Sequence, residues 1–301
     1  FKRANERGKY TMIIKLEKQI DVKEITRITD YIHSKSLETQ IIYGDHYLTI
    51  NILGDTTHLD HRFFFAFKNV IEVIRIQEPY TKVQSHPKQD ILLDNYTIQK
   101  NALTLIAGPC AVEDEETLRK TAKFLQDHGI KIMRAGAYKP RTSPYSFQGH
   151  ALDGLKLLSK VAKEFNLSVI SEITDISQLE DFLTYVDIIQ VGARNMQNFA
   201  LLKALSKIQK PVLLKRGFGN TIDELLMSAE YLLLGGNTNV ILCERGIRTF
   251  DNTYLRNTLD VGGIAMLQKL TNLPIFADPS HAAGRWDLVI DLALASVAAG
   301  A

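Results

Sequence analysis

Nine side chains able to hold or move charge recur along the last two-thirds of the sequence, each just after a short apolar run: Cys110, Arg134, Glu172, Arg194, Lys215, Glu244, Arg245, Asp278 and His281. Lys139 and Arg141 join them from 134-RAGAYKPRTSPYSFQG-149, whose prolines exclude a long helix. If the apolar runs are neighbouring strands, Arg134, Lys139, Arg141, Arg194, Lys215 and Arg245 face one cavity. Like charges at that spacing need an anion between them. Arginine grips phosphate and carboxylate in a bidentate way, so the pattern implies one or two substrates with several negative charges.

Cys110 and His281 stand at the ends of the first and seventh runs. A thiolate and an imidazole begin a divalent metal site, and a third or fourth oxygen ligand would have to come from Asp278, Glu244 or residues beyond 301. Cys110 also reads as a small buried residue near a tight Gly-Pro turn. Cys243 lies mid-strand and reads as core, and His150 as a loop histidine. The stretch 215-KRGFGNT-221 lacks the Gly-Lys-Ser/Thr order of a nucleotide-binding loop.

These residues need a scaffold. The apolar runs are 103-LTLIAG-108, 130-IKIMRAG-136, 168-SVISEI-173, 187-DIIQVG-192, 212-VLLKRG-217, 239-NVILCERG-246 and 274-PIFADPSH-281. Between them lie helical stretches such as 115–129 and 222–236. Repeated β-α units with continuous apolar strands predict a parallel sheet under helices. Seven strands with polar residues at their carboxyl ends predict a (β/α)8 TIM barrel over 102–301, lacking its eighth strand. Residues 12–78 show the order β-α-β-β-α-β of a ferredoxin-like domain, with no catalytic pattern. Residues 79–101 read as a linker and short hairpin, and 1–11 as a leader or tag.

Bulk properties exclude several classes. Lys and Arg exceed Asp and Glu only by 36 to 34, which argues against nucleic acid or a polybasic membrane contact. Two cysteines do not make a disulfide scaffold and fit a reducing, cytoplasmic setting. No apolar run approaches the roughly 18 residues of a membrane span.

The strings 107-AGPCAVE-113, 134-RAGAYKPRTSPYSFQG-149, 192-GARNMQN-198, 213-LLKRGFGNT-221, 242-LCERGIRTF-250 and 277-ADPSHAAGR-285 resemble the 3-deoxy-D-arabino-heptulosonate 7-phosphate (DAHP) synthases, type I-beta, across about residues 100–301. The N-terminal pattern is similar to the ACT-like regulatory domain of that branch. The resemblance implies a metal-dependent transferase that condenses phosphoenolpyruvate with erythrose 4-phosphate, at the head of the shikimate pathway. It assigns Arg134 and Lys139 to the carboxylate and reacting end of phosphoenolpyruvate, and Arg194, Lys215, Arg245 and the Ala193 N–H to its phosphate. Arg141 and Thr142, with Pro140 stiffening the loop, fall to the phosphate of erythrose 4-phosphate. Glu172 would position a water, Asp278 would lie beside the aldehyde, and Lys139 would shuttle a proton. Cys110 and His281 would ligate the metal, which could be Mn, Fe, Co or Zn. The family's Glu on the eighth strand and the Asp after it would then lie beyond residue 301. The resemblance also implies feedback by tyrosine or phenylalanine through the small domain, and a homotetramer or dimer. The alternatives are 3-deoxy-octulosonate 8-phosphate synthase, which uses arabinose 5-phosphate, and a non-catalytic sensor of phosphorylated metabolites. Pro140 and 279-PSH-281 favour the heptulosonate enzyme.

Overall fold

A computed structural model describes residues 10–54, 56, 58–75, 80–99, 102–139, 145, 147–251 and 253–301. Two compact units divide the chain, Phe1–Pro79 and Tyr80–Ala301. The expected leader lies outside the described residues up to position 9. Tyr10 already belongs to a strand.

In the first unit, β1 (Tyr10–Glu17), β2 (Glu38–Tyr43), β3 (Tyr47–Leu53) and β4 (Val70–Arg75) form an antiparallel sheet in the order β2-β3-β1-β4. Strand alternation buries Met12, Ile14 and Leu16 of β1 with Leu48, Ile50 and Ile52 of β3. Helix α1 (Val22–His33) covers that face with Ile25, Ile28 and Ile32, a helical spacing, and is capped by Asp21, whose carboxylate accepts the Lys23 N–H. The second helix of the ferredoxin-like plan is reduced to a 3-10 turn, His61–Ala66. Three successive phenylalanines cannot supply an apolar stripe at helical spacing. Only Phe64 is buried, while Phe63 stacks on Tyr31 with ring centroids 4.4 Å apart.

The second unit begins with a strap laid along the barrel. Helix α2 (Thr81–Ser85) is held by buried Glu230, whose carboxylate accepts the backbone N–H groups of Lys82 (2.9 Å) and Val83 (2.8 Å). The Tyr80 hydroxyl donates to Asp223 at 2.7 Å. The residues expected as linker are thus part of the barrel unit from Tyr80 onward. A hairpin follows, β5 (Ile91–Leu92) with β6 (Thr97–Ile98).

Seven parallel strands then succeed one another, each bonded to the next: β7 (Ile106–Ala107), β8 (Ile132–Arg134), β9 (Ser168–Ile173), β10 (Ile188–Val191), β11 (Val212–Lys215), β12 (Val240–Glu244) and β13 (Ile275–Ala277). Helices α3 (Glu115–Asp127), α4 (Ala151–Glu164), α5 (Leu179–Tyr185), α6 (Phe199–Leu205), α7 (Ile222–Leu234) and α8 (Val261–Leu270) connect them, while α9 (Pro279–Ala283) and α10 (Val289–Ala298) follow β13. This is the expected barrel with seven of its strands. Ile132, Ile170, Ile188, Leu213 and Ile241 point inward and pack together with Ile91 and Ile98, so the hairpin plugs the amino end of the barrel. The outward face packs on the helices in a larger core that includes Val169, Val191, Leu214 and Leu242. β7 and β13 are the two edges of the sheet, and residues 102–107 and 273–277 line opposite walls of one cavity.

Candidate active site

The strand ends bring most of the expected residues to the carboxyl side of the barrel. A cavity of about 880 Å³ runs along the seam between β7 and β13, from Ile98 and Ala301 to this end, where Cys110, Arg134, Lys215, Asp278 and His281 line it. Gly108, with φ +146°, lets the β7 end approach β8: a Cβ there would sit 2.1 Å from the Arg134 carbonyl oxygen.

Asp278 is the hub. It caps α9 by accepting the His281 N–H at 3.0 Å. Its Oδ2 also accepts His281 Nδ1–H at 2.7 Å and the ammonium of buried Lys215. Burial alone would raise the Asp278 pKa, but Lys215 and His281 outweigh it and hold the carboxyl well below its usual range. With Nδ1 committed to the carboxylate, Nε2 of His281 is left for a partner.

The Cys110 thiol lies near this imidazole. Its hydrogen bond with His281, opposed by burial and reinforced by Lys139 and Arg134, pulls the thiol down to about 5. Lys139 Nζ lies 3.1 Å from the sulfur and donates to the Cys110 carbonyl at 2.7 Å. The Cys110 side chain is exposed rather than buried, which removes the reading of it as a core residue. Cys243 is buried as expected, and burial pushes its thiol up to about 12. A thiolate and an oriented imidazole are suitable donors for a divalent metal. Two donors do not complete a site, and among the described residues no group of three His, Cys, Asp or Glu side chains converges for one.

Glu244, one of the candidate oxygen ligands, has a different task. It is fully buried and accepts Arg216 Nη1 at 3.0 Å and the Gly246 N–H at 2.7 Å. Arg216 also donates to Asp260 at 2.7 Å, so the pair ties the β11 and β12 ends to α8. Sequence reasoning missed Arg216 because its partners lie far away along the chain.

Glu172 projects from β9 and accepts Gln190 Nε2–H from β10 at 3.0 Å. Gly192 makes the room: a Cβ there would lie 2.0 Å from Glu172 Oε1. Gln190 was not singled out from the sequence.

Arg194 and Arg245 do not line the main cavity. They gather instead at Phe218, where their guanidinium carbons lie 5.6 and 4.4 Å from the ring centroid. Arg245 is buried, and among the described residues its Nη1 has no hydrogen-bond partner. Burial lowers its pKa, partly offset by Asp278. Ala193 opens the 3-10 turn that carries Arg194. Pro140, Arg141 and Thr142 lie outside the described residues. His150 precedes α4 without a side-chain capping bond and meets the Glu113 carbonyl through Nε2 at 2.9 Å, as a loop histidine would.

Comparison with known proteins places the chain in a family. The DAHP synthetase I family matches residues 82–301, and the DAHP synthase ferredoxin-like domain matches residues 12–78. The chain belongs to the DAHP synthetase I family. A phospho-2-dehydro-3-deoxyheptonate aldolase of Thermotoga maritima is 44% identical over 293 residues, 96% of this chain and 86% of the relative. The crystal structure of a phospho-2-dehydro-3-deoxyheptonate aldolase (DAHP synthase) from Thermotoga maritima superposes with a TM-score of 0.80, over 97% of this chain and 86% of that one. A 2-dehydro-3-deoxyphosphooctonate aldolase of Arabidopsis thaliana is more distant, 31% identical over 63% of this chain and 67% of its own length. Among the described residues no helix is long and apolar enough to cross a membrane.

Proposed function

We propose that the chain catalyses the condensation of phosphoenolpyruvate with D-erythrose 4-phosphate and water, giving 3-deoxy-D-arabino-heptulosonate 7-phosphate and phosphate, at the entry to the shikimate pathway. The observation that carries this reading is the unpartnered guanidinium nitrogen of buried Arg245, beside a strand end whose Lys215 leads to Asp278, His281 and a thiolate. A buried guanidinium nitrogen without an acceptor is costly unless an anionic ligand supplies one.

Arg194, Arg245 and Lys215, with the Ala193 N–H, hold the phosphate of phosphoenolpyruvate, while Arg134 and Lys139 hold its carboxylate. Arg141 and Thr142, in the loop stiffened by Pro140, take the phosphate of the aldose. Holding two anions in register turns the encounter of two mutually repelling molecules into a local event. The enol carbon attacks the aldehyde carbon, and positive character develops at the second carbon of the enolpyruvate. Water held by Glu172 adds there, its proton passing to Glu172, and phosphate leaves with its C–O bond broken. Lys139, against Cys110 and the loop, delivers the proton to the new alkoxide, and Asp278 orients the hydroxyls of the aldose. Cys110 and His281 would hold a divalent metal together with oxygen ligands from outside the described residues. When bound, that ion polarises the aldehyde oxygen as a Lewis acid.

Further parts of the proposal concern the whole protein: a cytoplasmic homotetramer or dimer, inhibited by tyrosine or phenylalanine through the small unit. The deciding assay is phosphate release from phosphoenolpyruvate with erythrose 4-phosphate in the presence of Mn, Fe, Co or Zn. Release should vanish on chelation and return with the ion. Faster turnover with arabinose 5-phosphate would instead favour the octulosonate reaction of the more distant relatives.

A further inference from the structure

Phe218 is unlike any other ring among the described residues, because three guanidinium groups surround it. Those of Arg245, Arg248 and Arg194 lie 4.4, 5.4 and 5.6 Å from its centroid. They arrive from two separate loops, Arg194 after β10 and the other two after β12. Elsewhere among the described residues a ring meets a single cation or, like Tyr31 and Tyr47, a lysine. Phe218 itself sits in the loop after β11, half-buried.

The ring is pinned from several sides. Its carbonyl accepts the Arg248 N–H at 2.8 Å, and the preceding Gly217 N–H meets the Met196 sulfur at 3.2 Å. Arg216, one residue further back, is locked between Glu244 and Asp260. The nearest carboxylates are therefore engaged with other cations: Asp278 with Lys215 and Glu244 with Arg216. Arg245 stays buried with an unpartnered Nη1. Three guanidiniums around one ring repel one another, and the ring's negative faces offset that repulsion only in part. The remaining charge suits a phosphoryl dianion.

We propose that Phe218 is a positioning residue of the phosphate site, its ring holding Arg194 and Arg245 in the geometry that an incoming phosphoryl group meets, with Arg248 as the outer cation of the same site. This rests on the reading that the substrate is a phosphorylated acid, but it names two residues that the reading itself does not use. Phe218 acts through the arginines and makes no bond to the anion. Arg248 is exposed and adds attraction from the rim.

The test is calorimetric titration of the full-length protein with phosphoenolpyruvate and, separately, with inorganic phosphate. F218L should weaken phosphoenolpyruvate binding about tenfold by removing the ring's hold on the cations. F218Y, which keeps the ring, should restore most of that loss. In steady-state kinetics the F218L loss should fall on KM for phosphoenolpyruvate and spare KM for the aldose. R248Q, an exposed change that keeps the fold, should weaken binding several-fold and flatten its dependence on ionic strength. F218L binding as tightly as the wild type, or F218Y no better than F218L, would overturn the role of the ring. R248Q with unaltered affinity and unaltered salt dependence would remove Arg248 from the site. If the wild type binds neither ligand, the phosphate reading itself fails, and Phe218's role falls with it.

Discussion

Oδ2 of Asp278 accepts Nδ1–H of His281 at 2.7 Å, and the same oxygen meets the ammonium of Lys215. One carboxylate oxygen thus holds the imidazole through Nδ1 and neutralises a lysine that would otherwise be buried alone. Replacing it removes both services at once. D278N should lower the unfolding free energy by about 3 kcal/mol, the usual cost of leaving one member of a buried pair uncompensated. Equilibrium denaturation of the two proteins at neutral pH measures this directly.

The pH dependence of that stabilisation has a definite sign. The Asp278 carboxyl titrates well below its ordinary 3.8 in the folded protein, so the folded state binds fewer protons than the unfolded one there. The contribution is complete above the ordinary carboxylate range and is lost as the pH falls through it toward the folded value. In D278N the acid limb of the stability profile should be shallower by that amount. An acid limb identical in both proteins would contradict the assignment.

The two thiols should differ sharply in reactivity. Cys110, drawn down to about 5, is a thiolate at neutral pH, whereas Cys243, pushed up to about 12 by burial, is not. In chelator-treated protein, iodoacetamide should label Cys110 at a rate nearly flat between about pH 6 and 8, and should leave Cys243 untouched until the protein unfolds. K139M, which removes a donor 3.1 Å from the sulfur, should move the midpoint of Cys110 labelling upward. Peptide mapping by mass spectrometry separates the two sites.

Gly192 offers a test of Glu172 that leaves Glu172 in place. An alanine Cβ would meet Glu172 Oε1 at 2.0 Å and Cδ at 2.6 Å, while the backbone at 192, with φ −68°, tolerates any residue. The contact is with the far end of a flexible side chain, so the fold should adjust cheaply and the carboxylate should swing away from Gln190. G192A is expected to lose about a hundredfold in turnover, as misplacing a reacting group by about 1 Å can cost, with little change in thermal midpoint. Full activity in G192A would show that the position of Glu172 does not matter to the reaction.

Arg245 predicts a trade between stability and binding. Its buried Nη1 is unpartnered, and burial depresses its pKa. R245M keeps the apolar stem and discards the costly head group, so the ligand-free protein should gain about 1 kcal/mol. The same change should lower kcat/KM for phosphoenolpyruvate by at least about a hundredfold, because charge-assisted bonds to the anion vanish. Thermal melts and initial rates on one preparation answer both halves.

How much of this could be read from the chain follows from the range of each interaction. Strands β8 to β13 were legible because a strand buried on both faces is a continuous apolar run, and the polar residue ending each run marks the active face. Cys110, His281, Arg194 and Arg245 stand out by that position, while the roles expected of them come from the family resemblance. The engagements that decide their chemistry were not legible, because they join residues distant in sequence: Lys215 with Asp278, Arg216 with Glu244 and Asp260, Glu172 with Gln190. Phe218 carried no signal at all, since one aromatic between glycines has neither periodicity nor charge. The second helix of the small unit failed for a local reason: 63-FFF-65 supplies bulk without a helical stripe, and a 3-10 turn buries just one of the three.

The strap at the start of the barrel unit has a mechanical meaning. Tyr80 is moored to Asp223, and Glu230 grips the first turn of α2; both anchors belong to α7, the helix that begins immediately after the loop bearing Phe218. Chain tension arriving at residue 80 would not dissipate in slack backbone. It would pass to α7, whose near end follows the loop bearing Phe218, and to Thr271 and Asn272 after α8, which bond the carbonyls of Val83 and His86.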